Sequence, residues 1–227
     1  MNKLYYFLPP AIIDFLRFCK KIIKKKIIQS PHKQYLGLYY DSKMGKILET
    51  WGERNSWIEV QHIFNDKKGK ILDIACGTGK VIEILNKNHD LDIYGCDISS
   101  FLIDKAKKKN IDKKKLIICD ATNLPYEENF FDYCYSIGSL EHFTELGILS
   151  FLKSSSKVTI NKGYHMIPVS RSGKDCGWIE NYQFYFNNSV KWWSTMCEKA
   201  SLKYKFIDSS WEDEISVGKW MIVEKND

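Results

Sequence analysis

The stretch from Lys70 to Leu85, K-I-L-D-I-A-C-G-T-G-K-V-I-E-I-L, constrains the fold more than any other part of the chain. Ile71, Leu72, Ile74 and Ala75 form a short apolar run broken only by Asp73, which suits a buried strand. Cys76, Gly77, Thr78 and Gly79 then turn the chain into Val81, Ile82, Ile84 and Leu85, and a helix is expected through Asn88. Strand, glycine turn and helix together open a nucleotide-binding α/β unit. Glycines allow a sharp turn and a close approach to a ligand, because they carry no Cβ. The first turn of the helix offers free N–H groups to an anionic part of that ligand.

Two common nucleotide motifs do not fit this turn. A dinucleotide site needs G-x-G-x-x-G, and the equivalent positions here are Ala75, Gly77 and Lys80. A phosphate-binding P-loop needs Gly-Lys followed by Ser or Thr, and Val81 follows Lys80.

Further along, strand and helix patterns alternate. Leu91 to Cys96 reads as a second strand that delivers Asp97, eighteen residues beyond Gly79. A carboxylate at that strand tip can accept two hydrogen bonds from ribose hydroxyls; taken alone it also suits a helix N-cap for Ser99 onward. A helix over 101–109 and a strand over 115–119 lead to Asp120-Ala121, and Leu124-Pro125-Tyr126 forms a turn. A fourth strand over 130–137 enters Gly138-Ser139-Leu140-Glu141-His142-Phe143. A helix over 144–157 and a strand over 163–169 follow. Such repeated units predict a parallel sheet with right-handed crossovers.

These residues resemble class I S-adenosylmethionine-dependent methyltransferases. The first motif of that family is D-x-G-x-G-x-G, matched by Asp73, Ala75, Gly77 and Gly79, with alanine at the first glycine. Leu124-Pro125-Tyr126 resembles the family's L-P-[FY] turn, and Leu140-Glu141-His142 the L-E-H segment of the type 11 and type 25 subfamilies. The resemblance covers most of residues 68–225. It implies an α/β, Rossmann-like sheet of seven mostly parallel strands in the order 3-2-1-4-5-7-6, with helices on both faces. It implies S-adenosylmethionine as cofactor, held by Asp73, Ala75, Cys76, Gly77, Gly79, Asp97, Ile98, Asp120, Ala121 and Ser139. His142 is the first candidate for a catalytic base and His165 the second, while Glu141 would orient a partner or hold the acceptor. His142 on its own would more often be a structural histidine.

The region from 170 to 188 is polar and aromatic with no clean period, and it is expected to form an acceptor lid. Arg171 and Lys174 could hold an anionic acceptor group, or could simply be solvated charges; Trp178, Tyr182 and, upstream, Trp51 complete the candidate acceptor residues. Asn188-Ser189 should cap a helix, and strands over 202–207 and 218–224 should close the sheet as an antiparallel pair.

Residues 1–65 form a helical extension before the methyltransferase domain of 66–227. Within it, residues 11–28 pattern as a basic amphipathic helix, fit either to lie on an anionic membrane surface or to pack as a cap. Residues 1–33 hold eight basic side chains against Asp14 alone, leaving residues 34–227 at −1 of the total +6. The domain therefore shows no strong electrostatic footprint for nucleic acid. The seven cysteines include no C-x-x-C pair, as expected of reduced, mostly buried thiols, and no metal-ligand cluster is apparent.

Methyl transfer to oxygen or nitrogen of a small molecule, or of a glycan precursor such as a sugar nucleotide, is the leading expectation, in the cytoplasm or at the inner face of a membrane. A membrane-associated lipid or quinone methyltransferase and a non-catalytic S-adenosylmethionine-binding scaffold are the alternatives.

Overall fold

A computed structural model describes residues 42–180 and 184–226. The amphipathic segment 11–28 and the candidate acceptor residue Tyr182 lie outside them. Two short helices come first within the expected helical extension, α1 (Ser42–Ile47) and α2 (Ser56–Phe64), separated by turns. The domain then runs β1 (Gly69–Ile74), α3 (Lys80–Leu85), β2 (Leu91–Asp97), α4 (Ser100–Ala106), β3 (Leu116–Ile118) and β4 (Phe131–Ile137). It continues through α5 (Glu145–Val158), β5 (Thr159–Ser170), β6 (Trp178–Glu180), β7 (Phe184–Phe186), α6 (Val190–Lys199), β8 (Leu202–Glu212) and β9 (Ser216–Lys225).

Seven strands make one sheet in the order β3-β2-β1-β4-β5-β9-β8. Counting only these strands, that is the expected 3-2-1-4-5-7-6. The five from β3 to β5 are mutually parallel, and β9 is antiparallel to both β5 and β8. The unexpected addition is the separate antiparallel pair β6-β7, which lies within the supposed lid.

Alternation along the strands splits the core between the two faces. Leu72, Ile74, Cys134, Ile167, Val169 and Met221 join Phe151 and Leu152 of α5 and Trp193 and Met196 of α6. Ile71, Ile93, Tyr135, Tyr164, Met166 and Trp220 join Val60 and Phe64 of α2, Ile82 of α3 and Ile103 of α4. Adjacent residues of β5 thus serve opposite faces, as the two-residue period of a strand requires.

Local caps set where the helices begin. Ser99 Oγ accepts the Leu102 N–H at 3.3 Å, Thr144 Oγ1 that of Gly147 at 3.1 Å, and Ser189 Oγ that of Trp192 at 3.2 Å. At the sheet's far edge, the Glu59 carboxylate of α2 accepts from Ser209 Oγ, from the backbone N–H and hydroxyl of Ser210, and from Trp220 Nε1 at 2.7 Å. Strand order reverses between β1 and β4, the point where open α/β sheets bind ligands beyond their strand tips.

Candidate active site

The chain turns three times through left-handed backbone at the tip of β1. Ala75 has φ 62°, Gly77 φ 56° and Gly79 φ 71°. At Gly79 a Cβ would also stand 2.8 Å from Ile111 Cδ1, so the position needs glycine for packing as well as for conformation. Gly79 is thus structural, whereas Asp73, Ala75, Cys76 and Gly77 line a cleft with Leu48, Trp51, Trp57 and Thr78. Alanine at the first motif position is a larger departure than its single methyl suggests, because that residue has positive φ.

Asp97 stands beyond this turn. Its Oδ2 accepts the Gly77 N–H at 2.9 Å and its Oδ1 accepts the Ser99 N–H at 2.8 Å. The cap of α4 is Ser99, so the N-cap alternative for Asp97 is not what the structure adopts. Burial raises the Asp97 carboxyl above its usual range, partly offset by the backbone N–H groups of Ser99 and Gly77. Asp73 is also buried, and burial pushes it well up; the Tyr135 hydroxyl donates to its Oδ2 at 2.8 Å and counters part of that, while the nearby Asp97 adds to it.

A second cleft continues from Ala75 along Asp97, Ile98, Asp120, Ala121 and Ser139 to His142 and Phe143. Asp120 Oδ1 accepts from the backbone and hydroxyl of Thr122, which fixes the turn carrying Ala121. Ser139 Oγ is buried without a hydrogen-bond partner and opens on this cleft. An unpaired hydroxyl there, two acidic strand tips and glycines that leave room for a close approach fit an adenosine with an amino-acid tail. The sequence pointed to nearly all of these residues; Cys96, Cys119 and Phe143 are additions from the structure.

The third space is a cavity of about 540 Å³. It is lined by Met44, Ile47, Leu48, Trp51, Ile137 and Gly138, then by Glu141, His142, Met166, Pro168, Tyr185, Trp211 and Asp213. Leu48, Trp51 and Ile137 are shared with the glycine-turn cleft, and His142 with the Ser139 cleft. His142 therefore stands where the Ser139 cleft and the larger cavity meet.

His142 Nδ1 lies 2.7 Å from the Phe184 carbonyl oxygen. A carbonyl only accepts, so Nδ1 carries the proton and Nε2 presents a lone pair. Burial lowers the imidazole's pKa, opposed by that same carbonyl, and keeps the ring neutral at pH 7. Glu141 is 5% exposed, its Oε2 has no hydrogen-bond partner, and its Oε1 is 3.9 Å from His142 Nε2. Burial pushes the Glu141 carboxyl up to about 8, its own backbone N–H opposing the shift.

His165 does not belong to this constellation. Its Nδ1 bonds Ser136 Oγ at 2.9 Å and its ring packs against Phe151 of α5, centroids 5.5 Å apart. Met166 and Pro168 line the cavity, so the alternation of β5 sends His165 to the opposite face. The expected acceptor residues also divide. Trp51 lines the cavity, but Arg171 donates to Glu212 Oε2 at 2.7 Å and to the Asp213 carbonyl, Lys174 is exposed, and Trp178 packs on Phe184 and Phe186. None of Arg171, Lys174 and Trp178 lines the cavity.

The sheet order is that of the class I S-adenosylmethionine-dependent methyltransferase fold, and the clefts fit that cofactor. Residues 72–167 match the family model described as "Methyltransferase domain". A SAM-dependent methyltransferase from Aquifex aeolicus superposes with a TM-score of 0.61 at 17% identity, covering 81% of this chain and 99% of that one. Among curated relatives, "Probable tRNA methyltransferase 9B" of Bos taurus is 31% identical over 120 residues, 52% of this chain and 25% of its own length. The match thus spans about a quarter of that relative. The demethylmenaquinone methyltransferase of Staphylococcus saprophyticus is 28% identical over 172 residues, covering 71% of this chain and 69% of its own. Relatives named for tRNA and for a quinone leave the acceptor open, and the near-neutral charge of residues 34–227 does not set tRNA aside. Among the described residues no helix is long and apolar enough to cross a membrane.

Proposed function

We propose that this chain transfers the methyl group of S-adenosylmethionine to oxygen or nitrogen of a small organic acceptor seated in the 540 Å³ cavity, with His142 as general base. The observation that carries the reading is the position of His142, at the one side chain shared by the Ser139 cleft and the acceptor cavity, with Nε2 unprotonated. Asp73, Asp97 and Ser139 would hold the amino-acid tail, the ribose and the adenosine end. The bound cofactor supplies a methyl group already attached to a good leaving group. The chain's own contribution is then alignment, exclusion of water and removal of one proton.

The lining favours an acceptor whose enclosed part carries no phosphate, since no lysine or arginine is among the described residues around it. That argues against a sugar nucleotide buried by its diphosphate and weakens the case for a tRNA backbone inside the cavity. A lipid or quinone acceptor is the second reading, favoured by the apolar side chains of Met44, Ile47, Leu48, Met166 and Pro168.

Calorimetry with S-adenosylmethionine, followed by methyl-label transfer into separate metabolite, lipid, glycan and tRNA pools, tests these readings. Binding with label in the metabolite pool is expected. Label confined to tRNA would overturn the small-acceptor reading, and absence of cofactor binding would leave a scaffold.

A further inference from the structure

The described lining of this cavity is acidic and aromatic. Glu141 and Asp213 bring carboxyl groups, His142 a neutral imidazole, and the described lining contains no cationic side chain. Three aromatic rings, Trp51, Tyr185 and Trp211, share the wall with them. Around Gly138, a built Cβ would meet the Trp51 ring at 3.4 Å and Glu141 Oε1 at 3.6 Å, so ring and carboxyl flank one spot. The Tyr185 ring lies 6.4 Å from His142, and its hydroxyl is 3.4 Å from Ser216 Oγ. Asp213 Oδ1 accepts the backbone N–H groups of Ile215 and Ser216, at 2.9 and 2.6 Å, which fixes the carboxylate's place on the wall.

Glu141 Oε2 is the telling atom. It is enclosed and has no donor within the chain. A buried acceptor left unpaired costs about 1–3 kcal/mol, and a ligand carrying N–H groups removes that cost on binding. Aromatic faces attract a cation through their quadrupole, and rings with nearby carboxylates form the usual receptor for an ammonium group. An anionic acceptor finds no cationic partner among the described lining residues, and a neutral apolar one leaves Oε2 unpaired.

Resting on the methyl-transfer reading above, we propose that the acceptor is an organic amine, held as its ammonium ion by Glu141, Asp213 and the rings of Trp51, Tyr185 and Trp211. In the transfer step the ammonium nitrogen gives one proton to His142 Nε2. The freed lone pair then forms the N–CH3 bond as the S–CH3 bond breaks, and that bonding pair stays on sulfur. The product is a methylated ammonium ion of the same charge, with a neutral thioether and a protonated imidazole.

The test is calorimetry on the full chain saturated with S-adenosylhomocysteine, titrated with ethanolamine, an ammonium ion at neutral pH, or with 1-propanol, in which a methyl group replaces the ammonium. Neither probe needs to be methylated to be read. Ethanolamine is expected to bind about ten-fold or more tightly than the alcohol. Trp211→Ala and Asp213→Asn should each erode ethanolamine affinity by about ten-fold while S-adenosylhomocysteine affinity stays within about two-fold. Equal or tighter binding of the alcohol, or no ethanolamine binding to a chain that does bind S-adenosylhomocysteine, would overturn the amine proposal alone. Failure to bind S-adenosylhomocysteine would instead remove the methyl-transfer reading beneath it.

Discussion

Replacing Glu141 with glutamine isolates one ionisation whose energetic effect follows from its surroundings. The carboxyl is raised from 4.5 to about 8, chiefly by burial. The titratable groups facing it are His142 at 3.9 Å, the Tyr185 phenol and Asp213, and no described cation lines that space. A folded-state pKa above the unfolded one means that the folded chain keeps a proton the unfolded chain has released. Stability from this group is therefore complete below pH 4.5 and falls as pH rises toward 8. Between pH 4.5 and 7 the loss is about 3 kcal/mol, from the ratio of the two binding polynomials. Glu141→Gln cannot titrate and has no such slope. Urea denaturation of both proteins from pH 4.5 to 8 reads the difference. His165, lowered to about 3, and Asp73, raised by burial, also titrate, but they do so in both proteins and cancel. The variant should gain on the parent by about 3 kcal/mol between pH 4.5 and 7 and by about 4 kcal/mol by pH 8, whatever constant offset the amide introduces. Parallel curves would refute the reasoning, since they would mean that Glu141 is ionised in the fold at neutral pH.

Ala75→Gly should raise stability by about 0.5–1 kcal/mol in thermal or urea unfolding, because left-handed strain at φ 62° outweighs the added chain entropy of glycine. His142→Asn should lower kcat by about 10²–10⁴ while cofactor affinity, measured by calorimetry, changes little. The pH profile of kcat should lose its acidic limb in that variant, the limb set by an imidazole lowered from 6.5. His165→Leu should leave kcat within about two-fold and cost about 1–3 kcal/mol of stability, read by denaturation, since Ser136 Oγ loses its partner.

What could be read from the sequence was what neighbouring residues decide together. The glycine turn, Asp97 at its strand tip and Glu141-His142 after β4 each sit at the end of a short apolar run, so strand periodicity places them without tertiary knowledge. His165 shows the limit of that reading. It sits on a strand that does reach the site, but one residue out of phase with Met166, and the phase depends on which face α5 covers. The acceptor wall was less legible still. Met44, Tyr185, Trp211 and Asp213 come from α1, β7, β8 and the turn after β8, and no local pattern links them. Arg171 looked available for an anionic acceptor because its partner, Glu212, lies 41 residues away.

The Glu59 carboxylate joins α2 to Trp220, 161 residues further on, and to the serines of β8. The donor cleft is complete once residues 48–143 have been made, whereas the acceptor wall waits for Trp211 and Asp213, and the Glu59 tie for Trp220. During synthesis, then, a nascent chain has the lining residues of the two smaller clefts well before it has those of the larger cavity. The last two strands thus add the cavity wall to a chain that already holds the lining of both smaller clefts.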